Sequence, residues 1–325
     1  MGGHHQNVRN ATHVLSRFDT ILGASERELK KTATWYESVD LEEARKLDAA
    51  CPKVKTSRGV PRPRPSGATP FKDVHDAVSR LTPPGGSGGW GAGHLAELEF
   101  APVNKMVGTL LDFGSPSVLV NEGLKMAFDF DILGYFSNKL AGDWQSYANC
   151  MDAWDCLGNF CADAAANIRH GNEVLGTTWR GNAADAAWKY FDDAALRLES
   201  ARGSFHALRD HYHDITAAVF SFADIVKGLI AQICDLALQA AVSAAASTAV
   251  AASGVGLLGT FVGAAFTADR VVEMVSKYEE LVAQYDKLLL ALTGTLAGAG
   301  ITSAQFINEL EDFPVVGNSY DNKLV

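Results

Sequence analysis

The chain lacks any sustained alternation of apolar and polar residues, so no stretch of its 325 residues reads as a half-buried β-strand and the fold class is all-α. It also lacks a basic field. Lys and Arg total 28 against 38 Asp and Glu, a net charge of −10, and no basic cluster interleaved with aromatics occurs. That excludes nucleic acid as a partner, because phosphate binding needs concentrated positive charge. Cysteine is scarce: the five residues (Cys51, Cys150, Cys156, Cys161 and Cys234) are an odd number spread over three helical segments, which is no disulfide framework. The spacing from Cys150 through Cys156 to Cys161 fits no common zinc pattern. Catalytic signatures are missing as well. The Gly-x-Ser-x-Gly spelled by Gly85–Gly89 lies within the glycine run of the linker, there is no HExxH and no Cys/His setting of a nucleophile, and every serine stands in plain helix or linker. These absences argue for a protein that is not an enzyme and uses no cofactor or metal. Residues 1–30 carry charges throughout and no apolar core segment, so a Sec-type signal peptide is not expected.

What the chain does have is heptad rhythm. Tyr147, Cys150, Trp154, Leu157, Cys161, Ala164, Ile168, Gly171 and Leu175 recur at alternating steps of three and four. The rhythm resumes at Ala184 and runs through Ala187, Phe191, Ala194, Leu198, Ala201, Phe205, Leu208, Tyr212, Ile215, Val219, Phe222, Val226, Leu229, Ile233 and Leu236. Such spacing forms one apolar stripe along a helix, the seam of a coiled-coil-like hairpin. The register breaks between Thr178 and Ala184, which places Trp179-Arg180-Gly181 at the turn, with Asn182 available to cap the second helix. That helix runs for some fifty residues, about 75 Å at 1.5 Å each. The expected architecture is an elongated antiparallel helical bundle built around this hairpin.

Five segments follow from composition. Residues 1–50 hold a helix with its own seam (Val8, Ala11, Leu15, Phe18, Leu22, Ser25, Leu29, Thr32, Tyr36 and Val39). A second, short helix opens on Asp40-Leu-Glu-Glu43, which has capping-box spacing. Residues 51–95 contain seven of the ten prolines and the glycine run at 85–93. They read as a linker with one brief helical pattern at Phe71, Val74, Val78 and Leu81. Residues 96–143 are short apolar helices broken by proline and glycine. Residues 144–312 carry the hairpin, a charge-free Ala/Gly-rich stretch at 236–268 with a turn at Gly254–Gly259, and a further helix from Asp269 to Leu296. Residues 313–325 form a tail.

Two motifs stand out. Six tryptophans among 30 glycines in this length would give a Trp-x-Gly by chance roughly four times in ten, so the tripeptide alone says little, whereas its place at a helical phase break says more. One reading makes Trp179 a plug for the end of the hairpin, with Gly181 supplying the backbone freedom of the turn; the other makes it an apex read by a partner. Tyr36 and Asp40 lie four residues apart, on one helix face. The plain reading there is a seam tyrosine followed by a helix cap.

Taken together, the motifs are similar to those of the substrates of type VII (ESX) secretion in actinobacteria. From about Gly142 to Asp224 the stretches GDWQSYANC, NFCADAAANIRHGN, TTWRGNAADAAWKYF and LRDHYHDITAAV resemble a WXG100 or PPE-like hairpin. The stretch LKKTATWYESVDLEEARKLDAACP resembles the end of an EspC-like or PE-like helix carrying the general secretion motif. The resemblance implies that Trp179 and Gly181 correspond to the family's turn and Tyr36 and Asp40 to its export signal. It also implies that residues 8–50 fold back so that the signal lies beside the turn. The implied partners are the secretion ATPase or a chaperone, and a helical partner protein or a second copy where the seam is left uncovered. The implied location is secreted or cell-surface, and cytoplasmic before export. In one respect the chain departs from the pattern: an EspC-like domain has two long helices and only one precedes Tyr36, so either the first is missing or the start lies upstream.

The alternative is a membrane-inserting or pore-forming protein that uses an apolar hairpin at residues 228–268. Ala, Gly and Ser give marginal transfer energy, so membrane association is the less favoured reading. It gives way entirely if residues 96–140 and 270–296 cover that hairpin. His206, Asp210, His213 and Asp214 share part of a helix face at a spacing open to metal ligation; a solvated polar face is the plainer reading. Only about 30 residues follow the last expected helix, too few for a catalytic domain.

Overall fold

A computed structural model describes residues 2–39, 41–51, 53–56, 71–84, 128, 144–252 and 257–316. The described residues form an all-α helical bundle without strands. In chain order the helices are α1 (Gly2–Ser38), α2 (Leu41–Ala50), α3 (Trp144–Gly176), α4 (Asn182–Ala252) and α5 (Leu257–Glu311), with a 3₁₀ turn at Ala77–Arg80. The glycine run at 85–93, residues 96–143 apart from Phe128, and 317–325 lie outside the described residues, as do the side chains at 247–266. The chain divides into two compact units. The first comprises Met1–Trp90, Cys150–His211 and Leu296–Val325, the second Gly91–Asn149 and Tyr212–Thr295.

In the first unit, α3 and α4 pack as the two arms of the hairpin, and the α4 stripe is the one expected apart from Phe191, which is half-buried. Ala184, Ala187, Ala194, Leu198, Ala201, Phe205 and Leu208 are all buried. The α3 stripe is displaced by one residue at alternate positions. Met151, Trp154, Gly158, Cys161, Ala165 and Asn172 face inward, while Leu157, Ala164, Ile168, Gly171 and Leu175 lie half-buried on the flank. The cause is local fit. The Trp154 ring stacks on Phe205 with centroids 6.1 Å apart, and the missing Cβ of Gly158 leaves the space that the His206 ring fills. Asp155 accepts from Arg209 Nη1 at 2.8 Å, and Arg169 pairs with Glu199 and Asp192 on α4. Burial pushes the Cys161 thiol up to about 12, so this cysteine packs as an apolar group.

Helix α1 shows the same one-residue displacement. Val14, Phe18 and Ile21 are buried, with Asn7, Asn10, Ala11 and Ser25 beside them, while Val8 and Leu22 face outward. Polar anchors to the end of α5 set this rotation. Asn10 Nδ2 donates to Ser303 Oγ at 2.8 Å, and Arg17 Nη2 donates to the Phe313 carbonyl at 2.9 Å. Phe313 is buried and packs 5.2 Å from the Tyr190 ring. Of the brief helical pattern expected at residues 71–81 only the 3₁₀ turn at Ala77–Arg80 forms, and residues 71–84 lie as a strap along α3. The Val74 and His75 amides both donate to Asn167 Oδ1 at 2.9 Å, Asn167 Nδ2 donates to the His75 carbonyl at 2.8 Å, and Arg80 pairs with Asp163. Val74, Val78 and Leu81 remain exposed, because polar contacts rather than an apolar stripe hold the strap.

In the second unit the α4 stripe continues through Val219, Phe222, Val226, Leu229, Ile230 and Ile233. It is covered by Met274, Leu281 and Leu288 of α5 together with Phe128. Each such side chain contributes about 1.5–3 kcal/mol by leaving water. Between residues 228 and 241 one face of α4 (Leu229, Ile230, Ile233, Ala237, Ala240 and Ala241) is therefore core, while Leu238 lies on the exposed face. Helix α4 ends at Ala252 and α5 begins at Leu257; the residues between them, which include Gly254 and Gly256 of the expected turn, lie outside the described residues, Gly259 falls in α5, and α5 extends well beyond 269–296 in both directions.

Candidate functional site

The turn joining α3 to α4 is built from backbone bonds. The amides of Thr178 and Trp179 donate to the Leu175 carbonyl at 3.1 and 2.9 Å, closing α3. The Gly181 carbonyl accepts from the Asp185 amide at 3.0 Å, which makes Gly181 the N-cap residue of α4. A glycine cap has no side chain to satisfy the first free amides, and Asn182, the expected cap, does not do so. A carboxylate from α2 does. The Asn182 amide donates to Asp48 Oδ2 at 3.0 Å and the Ala183 amide to Asp48 Oδ1 at 2.9 Å. The Asn182 side chain turns the other way, its Nδ2 donating to the carbonyls of Asp48 at 3.0 Å and Cys51 at 3.1 Å. Negative charge here also meets the positive end of the helix dipole.

Gly181 has φ +117°, a region open to glycine and costly for any residue with a Cβ. A second constraint acts at the same atom. A Cβ on residue 181 would lie 2.6 Å from Asp48 Cγ, inside the carboxylate that caps the helix. Cys51 sits beside this contact, and its thiol is pushed up, first by burial and then by the charge of Asp48.

The structure places Tyr36, in the last turn of α1, next to Trp179. The indole Nε1 points at the Tyr36 hydroxyl oxygen 3.4 Å away, at the long end of the hydrogen-bond range. The rings meet edge-on, with centroids 6.3 Å apart at 79°, and Trp35 also stands edge-on to Tyr36, at 5.0 Å. Trp179 is half-buried rather than a bare apex. Its ring borders a cavity of about 20 Å³ with Leu29 and Thr32 of α1 and Ala187 and Phe191 of α4. Tyr36 is 37% exposed and Arg180 is exposed, so the aromatic edge and the adjoining cation face solvent. Asp40, the carboxylate paired with Tyr36 in the sequence reading, lies outside the described residues. Beside the turn, Leu29, Phe71, Ile168, Val174, Leu175 and Phe191 line an open apolar groove of about 510 Å³.

The structure does not gather the histidine-aspartate set of α4. His206 Nε2 lies 3.6 Å from Asp155 Oδ1, Asp210 pairs with Arg209, and His213 lies 3.6 Å from Asp214. Among the described residues no group of three His, Cys, Asp or Glu side chains is placed to hold a metal ion. The residue that sequence reasoning missed is Asp48. Nothing in its local spacing marks it, because its partners lie 134 and 135 positions away.

Compared with known proteins, the chain matches no family model, no curated protein and no solved structure.

Proposed function

We propose that this chain is a non-enzymatic substrate or structural component of a type VII (ESX) secretion pathway. It would be cytoplasmic before export and secreted or cell-surface afterwards. In this reading the Trp-x-Gly turn (Trp179, Gly181) and the helix end that carries Tyr36 and Asp40 form one composite surface, which docks on the secretion ATPase or a chaperone. The observation that supports it is the meeting of Trp179 and Tyr36, 143 positions apart in the chain, at 3.4 Å. Chance composition yields either motif alone but does not bring the two together. Mechanistically the composite offers an aromatic edge (Trp35, Tyr36, Trp179) beside the exposed Arg180. Aromatic and arginine side chains are the kinds that dominate binding energy at interfaces.

The test is export of a tagged full-length chain from an actinobacterial host with and without a working type VII system. Tyr36→Ala and Trp179→Ala variants run alongside, with helicity checked by circular dichroism. System-dependent export that is lost in folded variants supports the reading. Export indifferent to the system and to both substitutions sinks it.

A second reading, membrane association, is favoured by one observation. Two stretches of the described helices, within Asn182–Ala244 and Thr267–Asn308, are long and apolar enough to cross a bilayer, and the window in the second is only 17% buried. Against it stands the packing of α4 on α5 over residues 219–288. Flotation of the purified chain with phospholipid vesicles decides: recovery in the vesicle fraction supports insertion, and absence from it leaves these helices as packing elements.

A further inference from the structure

We infer that Asp48 is the positioning residue of this site: its carboxylate anchors α2 on the hairpin turn and so holds the end of α1, with Tyr36, against Trp179. The firm polar anchors of α1 lie far from Tyr36. Asn10 and Arg17 grip α5 and the chain after it, five turns and more from residue 36. Leu29 and Thr32 of α1 border the small cavity at Trp179, and at Tyr36 the helix meets the turn through a long 3.4 Å bond and an edge-on ring contact, which are weak restraints at an exposed position. Just beyond, Asp48 of α2 and Cys51 directly after that helix accept four hydrogen bonds from residues 182 and 183, all within 3.1 Å. Two of them are charge-assisted bonds to a helix N-terminus that has no cap of its own.

Gly181 gives this anchor a second, independent mark. The position tolerates no Cβ, both because φ is +117° and because the Asp48 carboxylate fills the place where a Cβ would go. The glycine of the Trp-x-Gly turn therefore serves two ends: it turns the chain, and it admits the carboxylate of α2. The secretion consequence of the anchor rests on the recognition reading above, whereas the anchoring itself does not.

The test uses the full-length chain and amide hydrogen exchange. Asp48→Ala, Asp48→Asn and a control at an exposed α2 position, Leu41→Ala, are compared with the parent. Loss of the anchor in Asp48→Ala speeds exchange across residues 33–50 and at Asn182 and Ala183 about tenfold. Residues 7–21 and 219–233 keep their protection, and circular dichroism shows that the variant is folded. Asp48→Asn, which keeps an acceptor for one amide, falls between the two, and Leu41→Ala matches the parent. Unchanged exchange over 33–50 in Asp48→Ala overturns the inference.

Export then separates the anchor from the recognition reading. Asp48→Ala is expected to lose export to the level of Trp179→Ala, although both motifs are intact, and Asp48→Asn to recover part of it. An opened segment that is still exported like the parent overturns the positioning role and leaves recognition through Trp179 standing. Normal export of Trp179→Ala sinks the recognition reading instead, and the exchange result alone then judges the anchor.

Discussion

Replacing Gly181 with alanine adds one carbon atom, and the structure says where its cost arises. The backbone at 181 has φ +117°, and holding a Cβ-bearing residue in left-handed territory costs roughly 1–2 kcal/mol. The new Cβ also collides with the Asp48 carboxylate. The carboxylate must withdraw, and the amides of Asn182 and Ala183 lose their acceptors. Loss of an N-cap adds about 1–2 kcal/mol. Gly181→Ala is therefore expected to destabilise the first unit by about 2–4 kcal/mol, and to lower the thermal midpoint followed by circular dichroism by roughly 5 °C or more. Arg180→Ala, a neighbouring exposed change, stays within about 0.5 kcal/mol. The two terms separate in a double-mutant cycle. Asp48→Ala alone costs only the cap, and in its background Gly181→Ala costs only the strain, so the double variant falls short of the sum of the singles by about the value of the cap. A midpoint for Gly181→Ala within about 1 °C of the parent refutes the account of the turn. Strict additivity of the two changes refutes the contact between residues 48 and 181.

Three further outcomes follow from burial and charge. The pKa of His206 is lowered below 6.5, first by burial and then by Arg209, with Arg202 adding to this and Asp155 and Asp210 opposing it. Asp155 fails to reverse the shift because it is already engaged by Arg209 at 2.8 Å and by Asn159 at 2.8 Å. The unfolded chain thus binds the proton more readily; the stability this group contributes is present above about pH 6.5 and is lost as pH falls through the folded value. Thermal midpoints measured between about pH 5 and 8 should decline on the acid side, and His206→Gln should flatten that decline. On α1, Val14 is 2% exposed and Val8 41%, so Val14→Asp should destabilise strongly while Val8→Asp stays within about 0.5 kcal/mol; equal effects in denaturant titration would show that the helix is rotated otherwise. Cys161, buried with its thiol at about 12, should resist a thiol reagent at neutral pH until the chain unfolds, because only the thiolate reacts.

The sequence by itself determined the helical class, the turn at Trp179-Arg180-Gly181 and the buried face of α4. On α4 large side chains mark a single stripe: Leu198, Phe205, Leu208, Tyr212, Ile215, Val219, Phe222 and Val226 stand at heptad steps, and every one is buried. Periodicity decides the inward face when it concentrates volume on one line of the helix. On α1 and α3 it does not. Val8, Leu15 and Leu22 compete with Val14 and Ile21, with Phe18 common to both stripes, and on α3 small residues occupy both adjacent stripes. Rotation there was set by partners that a periodic pattern cannot name, Ser303 for Asn10 and the Phe205 ring for Trp154. The site divides in the same way. Trp179, Gly181 and Tyr36 stood out because phase break and spacing are local properties of the chain. That Tyr36 meets Trp179, that Asn182 leaves its own helix uncapped, and that Asp48 supplies the missing acceptors were decided only when α2 came to rest on the turn. A hydrogen bond between residues more than 130 positions apart leaves no trace in the spacing of either one.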